Sequence, residues 1–315
     1  MSEPRLRARG WGRLTALLLL VLALWVGQPL VAVAIPFGLL AILLPVEKLR
    51  VPILGAVLLG LSLGGMAAAD GFWYLERGWL LLTGGWFVAV SLAWPARPFL
   101  PRALTALAGS AVWTGGLLLA LGGLGQADRL VRERVLGAAG ATRELLGGLT
   151  GGPLDPSLAE ALERTMEVQL FLVPATILLA TLAALAAGWW MCIRIRTGSG
   201  DALGRLRNFR FADGLIWLLI AGLVVGLVAD WTGGWGRTGL NMAVFMGALY
   251  ALRGFGVLLF LTGGLSWFGW GLLILGLLLA APLLLAAALV VGVADSWLDL
   301  RMRAASSGGS GPDST

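Results

Sequence analysis

Arg253 is the first residue of this chain on which chemistry can be built, because it interrupts an otherwise apolar run between Leu252 and Gly254, with Gly256 close behind. An ionised side chain inside hydrocarbon is costly. It therefore faces a carboxylate, a wet cavity or an anionic ligand, or it snorkels toward the headgroups, and the sequence leaves both readings open. Asp213 and Asp70 are the candidate carboxylate partners, and with Arg253 they make up the candidate substrate-binding set. Asp295 and Asp299 fall with Asp213 at expected segment ends, where capping or ion pairing is the common use of an acid. Such a set binds charge. It does not catalyse.

Residue types for other chemistry are missing. The chain has no histidine and one cysteine, Cys192, so a disulfide framework, a His/Cys zinc site and a histidine base are excluded. Gly-Gly pairs at 64, 84, 115, 122, 233 and 263 are not followed by Gly-Lys-Ser/Thr, and no zinc-protease pair, serine elbow or adjacent intramembrane aspartate pair occurs. The sequence predicts no enzyme, no catalytic residue, no cofactor and no metal site.

The elements that must position Arg253 are membrane helices. Of the 315 residues 58% are hydrophobic and 13% charged, the mean hydropathy is +0.89, and apolar runs approach the ~20 residues that cross a bilayer. The fold class expected is all-α: a polytopic transmembrane helical bundle of about eight or nine membrane segments with one amphipathic extramembrane helical insertion. A net charge of +6 would suggest nucleic acid in a soluble protein. Here the basic residues are nearly all arginines between apolar runs, the positive-inside pattern, and the expected partners are the lipid bilayer, a small-molecule solute or a membrane protein, with no nucleic acid.

Orientation rests on the connector 193–217, which holds Arg194, Arg196, Arg205, Arg207 and Arg210 against Asp201. A short loop this rich in arginine stays in the cytoplasm. The expected location is the bacterial cytoplasmic (inner) membrane, multi-pass, with the N-terminus inside. Residues 1–13 form a basic cytoplasmic N-terminus, 14–124 the N-terminal membrane helices, 125–167 the insertion, 168–303 the C-terminal membrane helices and 304–315 a disordered tail. Ala32-Val33-Ala34 imitates a signal cleavage site, but apolar character resumes beyond it, and the simpler reading is two short segments, 14–26 and 30–44. Further spans are expected at 51–69, 78–94, 103–124, 168–193, 211–229, 240–261 and 267–293. Asp70, Glu76 and Arg77 are expected at the outer surface, and ten or so tryptophans, Trp25, Trp217, Trp235, Trp267 and Trp297 among them, in an interfacial belt. Glycine pairs at 60 and 64 and at 222 and 226 predict close helix packing. Nine passes from an inside N-terminus leave Arg301 and Arg303 outside, against the charge rule, so a half-spanning or doubled segment is expected after Leu240.

The insertion repeats Val131, Val135, Ala138, Thr142, Leu145 and Leu149 at three- and four-residue steps, an amphipathic helix that serves as a connector or as a lid over a cavity. Asp155, Pro156, Ser157 and Glu160 then supply a helix start that leads into span 168–193, which Pro174 should bend.

Three local patterns resemble the YybS-like bacterial membrane proteins, a family of unknown function. They are Asn208-Phe209-Arg210-Phe211 ahead of Trp217, Asn241 followed by Leu249-Tyr250-Ala251-Leu252-Arg253-Gly254, and Gly292-Val293-Ala294-Asp295-Ser296-Trp297-Leu298-Asp299-Leu300-Arg301. That family is in turn distantly similar to the S components of energy-coupling-factor transporters, and the resemblance implies small-solute binding or uptake. The Ala-x-x-x-Ala docking pattern of S components has no match in 14–26, which offers Ala16 and Ala23, so coupling to an ATPase module is not implied. The alternative is a non-transport scaffold that organises other envelope or cytoplasmic proteins through the basic connector and the terminal Asp-Ser-Trp-Leu-Asp-Leu-Arg segment.

Overall fold

The computed structural model describes residues 18, 20–23, 25–45, 49–64, 70–150, 155–198, 202–230, 234–264 and 266–307. Among them all regular structure is helical. The chain divides into two units, Met1–Leu203 and Gly204–Thr315. Residues 1–13, residues 14–17, 19 and 24 of the expected span 14–26, Lys48, Asp201 and the tail beyond Ser307 lie outside the described residues.

The first unit holds α1 (Pro29–Leu43), α2 (Arg50–Gly64), α3 (Gly71–Ala93), α4 (Phe99–Ala120), α5 (Leu124–Thr150) and α6 (Pro156–Thr197). Helix α1 is apolar on every side and lies at the centre, packed against α2, α3 and α6. Ile35, Phe37, Leu40 and Ala41 are fully buried on it, and Gly38 lets it approach Gly55 of α2 backbone to backbone. Among the described residues a Cβ on Gly60 or Gly64, the expected pair, would meet nothing within 4 Å, and the tight packing of α2 lies one to two turns earlier, at Gly55.

Helix α3 starts at Gly71, seven residues before the expected span, and this corrects the placement of Glu76 and Arg77. Both are buried. Glu76 Oε1 accepts from Trp25 Nε1 at 2.7 Å and from the Gln28 backbone N–H at 2.8 Å, and its Oε2 pairs with Arg77 Nη1 at 3.0 Å. Arg77 donates from Nε to Ser62 O at 2.9 Å and lies 4.2 Å from the centre of the Trp73 ring. Trp25, expected in the interfacial belt, is thereby in the core. Removing one member of a buried pair strands the other, so Glu76→Ala is expected to cost about 3–5 kcal/mol, measured by thermal unfolding in detergent micelles. A loss no larger than that of an exposed pair such as Arg164–Glu160 would contradict the burial.

Helix α6 has 42 residues and is about 63 Å long at 1.5 Å per residue, twice the hydrocarbon core. Its polar N-terminal end therefore projects beyond the apolar span. The start is as expected: Asp155 caps it, accepting from the Ser157 N–H at 2.8 Å, and these bonds with Ser157 hold its carboxyl below the usual range. The insertion is α5 followed by this projecting end, tied by Arg143–Glu163 at 3.0 Å. Of the expected α5 stripe only Val135 is buried among the described side chains, and Leu145 is exposed.

The second unit is built round α8 (Gly234–Leu261), with α7 (Ile216–Val228) packed on it and α9 (Trp267–Leu298) crossing it, followed by α10 (Leu300–Ser307). Short 3-10 turns at Leu206–Asn208 and Asp213–Leu215 lead into α7. The expected pair Gly222 and Gly226 does pack closely, on Gly239, Leu240 and Ala243 of α8. Gly254 of α8 and Gly292 of α9 meet so closely that an added Cβ would fall 1.8 Å from Ala288 O and 1.9 Å from Tyr250 O. Helix α9 is two pieces, because Ala280 leaves helical geometry (φ −140°, ψ 37°) just before Pro282, which cannot continue the hydrogen-bond ladder. The expected single span 267–293 is therefore two helical pieces, Trp267–Gly276 and Leu279–Leu298, of which the second has spanning length. Residues 304–307, assigned to the tail by sequence, are helical in α10.

Among the described residues four helices or helix parts are long and apolar enough to cross a membrane: α4, α6, α8 and the Leu279–Leu298 part of α9. Four shorter apolar helices accompany them: α1, α2, the Asp213–Val228 stretch and the Trp267–Gly276 part of α9.

Candidate functional site: a buried ion network

Helix α8 carries Arg253 to the crossing of α8 and α9, where Gly254 and Gly292 remove the side chains that would hold the backbones apart. The guanidinium is wholly buried. Its Nε donates to Asp295 Oδ2 on α9 at 2.9 Å, and its Nη1 donates to Asp213 Oδ1 on the turn before α7 at 2.7 Å. The two carboxylates differ in surroundings: the Asp295 side chain is 0% exposed and the Asp213 side chain 60%. Phe211 places its ring centre 5.5 Å from Arg253 Cζ and packs edge-on against Tyr250 at 5.0 Å.

A second arginine closes the network from α10. The buried Arg301 donates from Nη2 to Phe209 O at 3.1 Å and to Arg253 O at 3.4 Å, and its Nε lies 3.9 Å from Asp295 Oδ2. Burial lowers the Arg301 guanidinium from its ordinary pKa, while the Asp295 charge acts in the opposite direction. Three buried polar atoms of the network have no hydrogen-bond partner among the described residues: Arg253 Nη2, Asp295 Oδ1 and Arg301 Nε. In a low-dielectric interior a polar atom without a partner is costly.

Asp299, the one non-glycine residue with positive φ among the described residues (φ 43°), pairs with Arg210 at 2.7 Å in an exposed position. Together with Arg301–Phe209 this fastens the segment after α9 to the loop of Arg205, Arg207 and Arg210, so the C-terminal arginine and that loop occupy one end of the second unit. In the first unit, Arg196 at the end of α6 donates to Pro45 O, Arg194 lies over Trp190, and Arg102 stacks on Trp189 at 4.5 Å. Basic residues gather at one end there as well.

Of the candidate set, the network joins Arg253 and Asp213. Asp70 belongs to the first unit, where it caps α3 by accepting from the Trp73 N–H at 2.7 Å and lines an open groove of about 600 Å³ with Phe72, Leu130, Glu133 and Arg134. Asp295 and Arg301 were missed as members. A signal was present: Arg253 precedes a glycine and Asp295 stands three residues after another, the two glycines at which the helices cross. Among the described residues no group of three or more His, Cys, Asp or Glu could hold a metal ion.

Apolar helices of spanning length with an ion network buried among them define a helical membrane protein. The chain belongs to the family described as Predicted membrane protein (DUF2232), whose model matches residues 103–296 and so includes Arg253, Asp213 and Asp295. No curated protein and no solved structure matches it.

Proposed function

We propose that this chain is a small-solute-binding membrane protein of transporter-like kind, with the Arg253 network as its binding centre. The observation that carries the reading is a fully buried guanidinium with an unpartnered Nη2 beside an unpartnered carboxylate oxygen of Asp295. Ionisable groups inside membrane helices usually mark a solute or ion route. The resemblance to YybS-like proteins, and through them to S components, points the same way. No chemical step is involved; a solute binds, and access to the cavity alternates. The test is native mass spectrometry of protein purified in mild detergent: a small molecule retained by the wild type and lost from Arg253→Ala supports the reading, and a wild type that carries none overturns it.

The location that goes with this reading is a bacterial inner membrane, multi-pass, with the N-terminus and the arginine connector in the cytoplasm. Since Arg301 and the Arg205–Arg210 loop share an end, the C-terminus is expected on that same side. Arg205→Cys and Arg303→Cys, each in a chain whose only native cysteine, Cys192, is buried, should resist an impermeant thiol reagent on intact cells and react in inverted vesicles. Labelling of one but not the other on intact cells would break the shared end. A scaffold role is the second reading, favoured by the exposed Arg205 and Arg207 and the 70% exposed Trp297 at that end. A protein partner lost when Arg205, Arg207 and Arg210 are neutralised would support it.

A further inference from the structure

We infer that the outer half of the network is a carboxylate-exchange site, in which a small monocarboxylate solute takes the place of Asp213 on Arg253. The inference rests on the solute-binding reading above and narrows it to a substrate class. Three features carry it. Asp295 and Asp213 hold Arg253 unequally: the first is wholly buried on α9, and the second is 60% exposed on a 3-10 turn. An exposed carboxylate can be re-solvated when it leaves; a buried one cannot without heavy cost.

Charge supplies the second feature. Arg253, Arg301 and Asp295, the buried members, carry two positive charges and one negative, so the interior keeps a net charge of +1 that Asp213 offsets. A single external carboxylate restores the same balance. Geometry supplies the third. Asp213 occupies Nη1 by one oxygen and Nη2 has no partner, so the Nη1–Nη2 edge is half used. A planar carboxylate with two free oxygens matches that edge as a fork, and two charge-assisted bonds are stronger than one. Phe211 lies with its ring centre 5.5 Å from the guanidinium carbon, and the exposed Asp213 is the group that a solute would displace to reach this edge. A phosphate ester offers similar oxygens, so a phospholipid headgroup is the competing source of the same chemistry.

Chemical rescue tests the exchange. The full chain bearing Asp213→Ala, in detergent micelles, is titrated with sodium acetate against sodium chloride at matched ionic strength, and thermal unfolding is followed. Acetate is expected to raise the Tm of Asp213→Ala saturably, with an apparent affinity about tenfold tighter than for wild type, whose own carboxylate competes. Asp299→Ala removes the same charge from the exposed pair with Arg210 and should show no acetate-specific shift. Should Asp213→Ala fold poorly, Asp213→Asn keeps the shape and takes the same titration. Absence of an acetate-specific shift in the folded Asp213 variant overturns the inference. So does recovery by a short-chain phosphatidylglycerol but not by acetate, which assigns the edge to lipid. A wild type that retains a solute while its Asp213 variant ignores acetate refutes the exchange site alone; acetate rescue of the Asp213 variant beside a wild type that retains no solute refutes the uptake reading and leaves the exchange site in place.

Discussion

Asp295→Ala is expected to destabilise the protein by about 3–5 kcal/mol, because it leaves the Arg253 guanidinium charged, buried and without its interior counter-ion. Asp213→Ala is expected to cost about 1 kcal/mol, since that carboxylate is more than half exposed and its pairing is partly screened. The difference distinguishes a network with a fixed inner and a replaceable outer member from a uniform ion cluster. A double variant, Arg253→Met with Asp295→Leu, removes both charges of the Arg253–Asp295 pair and should recover part of the loss, as buried pairs replaced by apolar side chains generally do, while Arg301 stays buried without Asp295. Chemical unfolding in micelles measures all three. Equal losses for Asp295→Ala and Asp213→Ala would contradict the asymmetry on which exchange depends.

Gly292→Ala is expected to be similarly damaging, by about 3 kcal/mol or more, although it adds one methyl group. That methyl would stand 1.9 Å from Tyr250 O, and the opposing atom is backbone, which cannot swing aside. Gly254→Ala meets Ala288 O at 1.8 Å and should behave alike. Gly247→Ala, on the same helix with nothing within 4 Å, is the control and should stabilise by up to about 1 kcal/mol through helix propensity. Because separation of α8 from α9 also parts Arg253 from Asp295, the crossing variants should lose retained solute together with stability. A Gly292→Ala protein as stable as wild type would show that the helices do not cross there.

Helical class and membrane character were legible in composition, since long apolar runs with few charges have no other economical fold. Arg253 was legible as an anomaly for the same reason. Its partner on α9 was not, because Asp295 near the end of an apolar run looks like a cap until the position of the helix crossing is known. Glu76 and Arg77 misled in the opposite direction. Two adjacent charges read as the rim of a span, yet each is satisfied by groups on distant segments, Trp25, Gln28 and Ser62, which no local pattern announces. The stripe on α5 has the spacing of a buried face, and periodicity carries no information on whether anything lies against it.

An experimentally determined structure in a lipid nanodisc, at a resolution that shows side chains and bound molecules, examines the binding centre most directly. The account requires the Arg253 guanidinium inside the protein, its Nε on Asp295, with density for a small guest or an ordered water within hydrogen-bond distance of Nη2. A guanidinium facing lipid in the headgroup zone, or one whose Nε and Nη2 are both closed off by Asp295 with the outer edge empty, would contradict it.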